Sequence, residues 1–121
     1  MKIYETPTLK IDNINTIKEI IKNLKNKKVN LFLTQQCLDL YGPHILNDIG
    51  RIIEKNINVI AETGENLGLF LSLINLNVKY ISINSNLDPI FKKKVFSIAK
   101  KKNINLLQNE KFRFINNQND V

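Results

Sequence analysis

Four short apolar runs recur along the chain, each rich in β-branched residues and each preceded by a segment with helical spacing. They begin at Val29, Ile57, Val78 and Ile104, so consecutive starts are separated by 28, 21 and 26 residues. That spacing fits a strand, a turn, a crossover helix and the next strand. The pattern therefore predicts an α/β fold with a small, open, mostly parallel sheet of four to five strands.

The segments between the strands predict helices over about 14–24, 43–53, 65–76 and 89–102, where apolar residues recur every three or four positions. Asp12 and Asp88 are suitable N-caps for the first and last of these helices. Right-handed crossovers between parallel strands would place helices on both faces. We therefore expect a flavodoxin-like or similar three-layer αβα arrangement.

The two ends of the chain and one internal segment are less regular. Residues 2–11 predict a short strand interrupted by Pro7, and residues 35–42 predict the longest connection. Apolar residues within 111–115 favour an edge strand, and 116–121 predict a frayed tail. No low-complexity linker divides the chain, so we predict one domain over residues 1–121.

Composition narrows the class of protein. With 43% apolar and 24% charged residues, the chain is typical of a soluble globular protein. No apolar stretch is long enough to span a bilayer, and the N-terminus lacks the apolar stretch of a signal peptide. The single cysteine, Cys37, favours a reducing compartment. We therefore predict a cytoplasmic protein.

The net charge of +7 suggests nucleic acid as a partner, but composition weakens that interpretation. The chain contains 19 Ile, 19 Asn and 16 Lys, all encoded by AT-rich codons, and only two arginines. The lysines at 92–94 and 100–102 cover the outer side of the last predicted helix, as in a solvated face. No aromatic residue interleaves with them there, so base stacking is unsupported. Nucleic acid remains the less favoured partner.

Polar residues follow each predicted strand, and the carboxyl ends of parallel strands are where ligands bind in open sheets. A small polar ligand there would meet amides and hydroxyls. The alternative is that such residues only cap helices and turns. The candidates for ligand binding are Gln35, Gln36, Thr63, Asn66, Asn84 and Ser85.

The segment after the second run could also carry chemistry. It has too few glycines and no lysine, so it matches neither a phosphate-binding loop nor a dinucleotide fingerprint. Glu62 extends an apolar run, and with Glu65 or Asp88 it is a candidate for general acid–base catalysis. The alternative is a carboxylate that accepts backbone hydrogen bonds and ties loops together.

Other reactive constellations are unpromising. Cys37 and His44 are the only residues of their kinds, and a helix N-terminus disfavours the imidazolium of His44. One cysteine and one histidine do not complete a zinc site. We predict neither a metal site nor a cofactor.

The third predicted helix, 65–76, is apolar around most of its circumference. A helix on the outside of a sheet should bury only one stripe. Either other parts of the chain cover it, or it packs against a second copy as a homodimer. Leu69, Phe70 and Leu73 are the candidate interface residues.

We therefore interpret the chain as a non-catalytic binding or regulatory module that self-associates. One alternative is a small hydrolase- or lyase-like enzyme that uses Glu62. The other is a basic protein associated with nucleic acid.

Overall fold

The computed structural model describes residues 2–117 and 121. Its strands are β1 (Pro7–Ile11), β2 (Val29–Leu33), β3 (Ile57–Glu62), β4 (Tyr80–Ile83), β5 (Asn105–Gln108) and β6 (Arg113–Ile115). Its helices are α1 (Lys2–Glu5), α2 (Ile17–Asn23), α3 (Gln35–Tyr41), α4 (Ile45–Gly50), α5 (Leu67–Asn75) and α6 (Pro89–Lys101). Short 3-10 turns lie at Ile14–Thr16 and Asn109–Lys111. None of the helices described is long and apolar enough to cross a membrane.

The six strands form one sheet in the order β5-β4-β3-β2-β1-β6, and every adjacent pair is parallel. The predicted α/β class with a parallel sheet is confirmed. The predicted number of four to five strands is too low. Both ends of the chain contribute a strand, β1 near the N-terminus and β6 from the segment expected to dock at an edge, so the sheet has six.

The crossover helices all lie on one face of the sheet. Strands β1 to β5 are neighbours in chain order, and successive right-handed crossovers in one direction place their helices on the same side. Buried residues of α2 to α6 share one core with alternate strand residues such as Leu31, Ala61 and Ile81. The expectation of helices on both faces therefore holds only for the four-residue α1. A flavodoxin-like sheet requires a reversal in strand order, which β1 to β5 do not have. The arrangement is an α/β half-barrel instead.

The opposite, inner face carries its own small core of Ile3, Phe32, Ile60, Leu107 and Phe112. The rings of Phe32 and Phe112 meet edge to face with centroids 5.5 Å apart. These side chains come from strands in the middle of the sheet, from one edge and from the two ends of the chain. The inner face is therefore filled by side chains rather than covered by a layer of helices.

The sheet is strongly curled. From Gln108 at the end of β5 to Arg113 at the start of β6, the chain advances five residues, which span at most about 18 Å. In a flat sheet, β5 and β6 would be about 24 Å apart. The hydroxyl of Tyr4 accepts a hydrogen bond from the backbone N–H of Gln108 (3.1 Å) and so ties α1 to the edge strand β5.

Local structure differs from expectation in two segments. Residues 35–41 form α3 where a connection was expected, because Thr34 caps the helix by accepting from the N–H of Cys37 (3.2 Å). Residues 2–5 are helical rather than extended. The cap of α6 is confirmed, since Asp88 accepts from the N–H of Phe91 (3.2 Å). Asn13, rather than Asp12, caps the turn that leads into α2.

A row of polar side chains crosses the inner face near the start of the strands. Asn30 is fully buried on β2, and its amide donates to the carbonyl of Ile3 (2.7 Å) and to Oγ1 of Thr8 (3.0 Å). The amide of Asn58 on β3 donates to Oδ1 of Asn30 (3.0 Å). Asn30 thus joins β1, β2, β3 and α1.

We expect Asn30→Ala to lower the free energy of unfolding by about 3 kcal/mol, because it leaves buried polar partners unpaired and opens a cavity. Urea denaturation followed by circular dichroism measures the change. Asn105→Ala, at an exposed strand position, is the matched control and should change stability by less than about 0.5 kcal/mol. A similar loss in both variants would contradict the assigned role of Asn30.

Candidate functional site

Glu62 is the centre of the polar network at the carboxyl ends of the strands. It is the last residue of β3, and its Oε1 accepts from the backbone N–H of Gln35 at the start of α3 (2.9 Å). Its Oε2 accepts from the side-chain amide of Asn109, just after β5 (2.6 Å). One carboxylate at the end of β3 therefore holds the segments that follow β2 and β5.

The network continues to β4. The hydroxyl of Ser82, which is buried, donates to Oδ1 of Asn109. Gly64 has φ +55°, and a Cβ added there would lie 1.9 Å from Oε1 of Gln35. The positive φ favours glycine at position 64, and any larger residue would also force the end of the Gln35 side chain to move.

Most of the other polar candidates serve local structure. Asn66 caps α5 by accepting from the N–H of Leu69 (2.9 Å), and Asp88 caps α6. Asn84 accepts from the N–H of Asn86 within its own turn (3.0 Å). The backbone N–H of Ser85 donates to Glu110 (2.9 Å), and the Ser85 side chain also bonds to this carboxylate, so Ser85 helps to hold the loop after β4.

The structure brings Glu62 and Gln35 together, but it does not pair Glu62 with the other carboxylates proposed for catalysis. Both Glu62 oxygens are engaged with Gln35 and Asn109, Asp88 caps α6, and Glu65 is exposed. Within the described residues, no group of three or more His, Cys, Asp or Glu could hold a metal ion. Glu62 is therefore a carboxylate whose two oxygens both accept hydrogen bonds from the protein.

A second carboxylate ties the rim to β4. Desolvation of Glu110 raises its pKa. Hydrogen bonds from Ser85 and from its own backbone, together with the charge of Lys92, lower the pKa by more than desolvation raises it. The net effect is a pKa below the ordinary value. Glu110 is therefore held as a carboxylate anion that fixes the loop after β4.

Thr63 lies beside Glu62 and is fully buried. Its Oγ1 lacks a hydrogen-bond partner within the described part of the chain, although its backbone N–H donates to the carbonyl of Ser82 (3.2 Å). An unpaired buried hydroxyl costs stability. Thr63, a candidate for ligand binding, is therefore a strained point of the rim rather than an exposed ligand contact.

Cys37 is buried in the outer core, and His44 is exposed before α4. Burial raises the pKa of the Cys37 thiol, and the negative charge of Asp12 raises it further. The thiol is thus protonated at neutral pH, whereas a nucleophile requires the thiolate.

The three candidate interface residues of α5 are covered by the chain itself. Leu69 is 7% exposed, and Phe70 and Leu73 are fully buried in the outer core. Leu71, at 42% exposure, is the large apolar residue that α5 leaves at the surface. The apolar circumference of this helix is therefore explained by packing within one chain.

The outer side of α6 also departs from expectation. Phe96 is 45% exposed, and helical spacing places it beside Lys92, Lys93 and Lys100. The expectation that no aromatic residue interleaves with these lysines is wrong. Phe96 lies at the border between the apolar and the basic faces, so the helical pattern alone places it on neither.

Phe114 is one of the apolar residues expected to dock the edge strand, whereas Lys10 is not singled out by the sequence pattern. Lys10 alternates with the outer-face residues Leu9 and Ile11, so it lies on the inner face, and its Nζ is 4.8 Å from the centroid of the Phe114 ring. The inward position of Lys10 follows from the alternation of side chains along β1. That alternation can be used only once residues 7–11 are known to be a strand.

Comparison with known proteins identifies a fold. No family model and no curated protein matches the chain. The chain is similar to the crystal structure of a putative fructose-1,6-biphosphate aldolase from Coccidioides immitis, with a TM-score of 0.64 and 13% sequence identity. The alignment covers 85% of this chain and spans 45% of the length of that chain. At this identity the likeness shows a shared α/β half-barrel and nothing about activity.

We expect Thr63→Val to raise the free energy of unfolding by about 1 kcal/mol, because it replaces an unpaired buried hydroxyl with a methyl group of similar size. Thr34→Val is the matched control. It removes the cap of α3 and should lower stability by about 1 kcal/mol. Chemical denaturation measures both variants. A loss of stability in Thr63→Val would show that the hydroxyl has a partner in solution.

Proposed function

We propose that this chain is a non-catalytic binding module, in which a braced rim at the carboxyl ends of parallel strands presents polar groups to a small polar ligand. The observation that carries the proposal is the state of Glu62. Both of its oxygens accept hydrogen bonds from the protein, at 2.9 Å from Gln35 and 2.6 Å from Asn109. A carboxylate used in this way positions loops and is not available as a general base.

The ligand-facing groups of the proposal are rim side chains that do not cap a helix. Gln36 is exposed at the start of α3, and Ser85, which lies after β4 and bonds to Glu110, can still offer its hydroxyl oxygen as an acceptor. Strands β2 and β4 flank β3, so these two residues are separated by about two strand spacings, or about 10 Å. A small polar molecule could therefore contact both above Glu62. Self-association through α5 is not part of the proposal, because its candidate interface residues are buried.

The second candidate is an enzyme that uses Glu62. It is favoured by position, because catalytic groups of barrel enzymes lie at the carboxyl ends of the strands, and a protein of similar fold is described as a putative aldolase. It requires Glu62 to give up one of its two hydrogen bonds when substrate binds. The two candidates therefore differ in what removal of the charge at position 62 does to stability.

We expect Glu62→Gln to lower the free energy of unfolding by about 2 kcal/mol, because the neutral amide weakens one charge-assisted hydrogen bond and places an NH₂ group beside a donor. Glu65→Gln, an exposed neighbour, is the matched control and should leave stability unchanged. Urea denaturation at pH 7 measures both. Equal or higher stability in Glu62→Gln would indicate a site strained for catalysis and would favour the enzyme.

Ligand binding is tested by recording amide chemical shifts during titration with mixtures of small polar metabolites. We expect a ligand to shift the signals of Gln36 and Ser85 together and to leave those of α6 unchanged. Gln36→Ala should weaken this binding at least about tenfold if the residue supplies a hydrogen bond to the ligand. Binding that is unaffected by Gln36→Ala would contradict the proposed location.

A further inference from the structure

A second concave site lies at the opposite end of the sheet, where the strands begin. It is a cavity of about 310 Å³ on the inner face, lined by Lys2, Lys28 and Lys55 together with Asn58 and Tyr80. The three lysines come from α1, from the segment before β2 and from the segment before β3. They are distant in sequence and meet only because the chain folds this way.

The two loops that carry Lys28 and Lys55 are fastened to each other. The side-chain amide of Asn56 donates to the carbonyl of Leu24 (3.1 Å) and to that of Lys27, and the N–H of Val29 donates to the carbonyl of Asn56 (3.2 Å). These bonds hold the backbones next to both lysines in place. Specific contacts therefore hold the two lysine-bearing segments beside one cavity, which both lysines line.

The third lysine is fixed through the buried row on the inner face. Asn30 donates to the carbonyl of Ile3, and both the N–H and the hydroxyl of Thr6 bond to the carbonyl of Lys2 (3.2 and 3.0 Å). The α1 backbone is thus anchored against the sheet. Lys2 consequently faces the same cavity as Lys28 and Lys55.

The charge of this cavity is not balanced by the protein. No carboxylate lines it, and within the described ranges 2–117 and 121 none of the three lysines forms an ion pair. Bringing like charges together costs free energy that a bound anion would offset.

We propose that this cavity is a binding site for the phosphate group of a small phosphorylated ligand. The hydroxyl of Tyr80 and the second amide hydrogen of Asn58, whose first is used on Asn30, add neutral donors to the three ammonium groups. A phosphate carries close to two negative charges at neutral pH and offers three acceptor oxygens. The cavity is in the size range of small-molecule sites. It is separate from the rim and goes beyond the function proposed above.

Thermal unfolding with pyrophosphate as the probe tests the site. At saturating pyrophosphate we expect the Tm of the wild type to rise by about 4 °C or more above its value in sodium chloride of equal ionic strength. Lys28→Gln combined with Lys55→Gln should abolish the rise. Without the probe, this double variant should be at least as stable as the wild type, because it removes like-charge repulsion.

Lys93→Gln combined with Lys101→Gln is the matched control. It removes the same two charges from exposed positions on α6 and should retain the full rise in Tm. Amide chemical shifts provide a second readout: pyrophosphate should shift Asn56, Asn58 and Tyr80 and leave Gln36 at the rim unchanged. This pattern separates the proposal from the rim, because either site can fail while the other holds.

Three results would overturn the proposal. The first is a wild-type Tm in pyrophosphate that equals the Tm in sodium chloride. The second is an equal loss of the rise in both double variants, which would show a response to net charge alone. The third is a short RNA oligonucleotide that binds the wild type more tightly than pyrophosphate does and that both double variants bind equally weakly. This result would assign the basic surface to a nucleic acid partner.

Discussion

The curl of the sheet is the constraint on which the rest of the structure depends. Only four residues, 109–112, separate β5 at one edge from β6 at the other, so a flat sheet is not possible. The curl makes the two faces unequal. The wide outer face accommodates α2 to α6, and the narrow inner face is filled by aromatic and aliphatic side chains and the short α1.

The parts of the fold that were predictable from sequence are those in which local pattern and burial agree. The strands appear as short apolar runs, so β2 to β5 begin within two residues of the positions predicted for them. Strand order was not predictable, because the apolar pattern of a strand does not specify its neighbour. Helix α3 was missed since its seven residues contain only two buried apolar positions, Cys37 and Leu38, too few to establish a helical period.

The candidate site was predictable to a similar depth. The rule that parallel strands end at one edge correctly placed Gln35 and Glu62 near each other. The same rule places Asn109 at this edge, but it does not specify that Asn109 bonds to Glu62, because strand order is not known from the sequence. Polar residues that follow strands were also ambiguous, because a helix cap and a ligand contact require the same side chains; Asn66 and Asp88 prove to be caps.

Some of the repetition that resembles compositional bias has a structural reason. Asn26, Asn77 and Asn103 all have positive φ and occupy the turns that lead into β2, β4 and β5. Asparagine tolerates this conformation better than other residues with a side chain, so these turns select it. Some of the lysines also have a structural reason for their positions, and others do not. Lys100 and Lys101 lie in the last turn of α6, where the helix dipole favours them. No helix end accounts in this way for Lys2, Lys28 and Lys55, which share one cavity, and it is this unexplained positive charge that points to an anion.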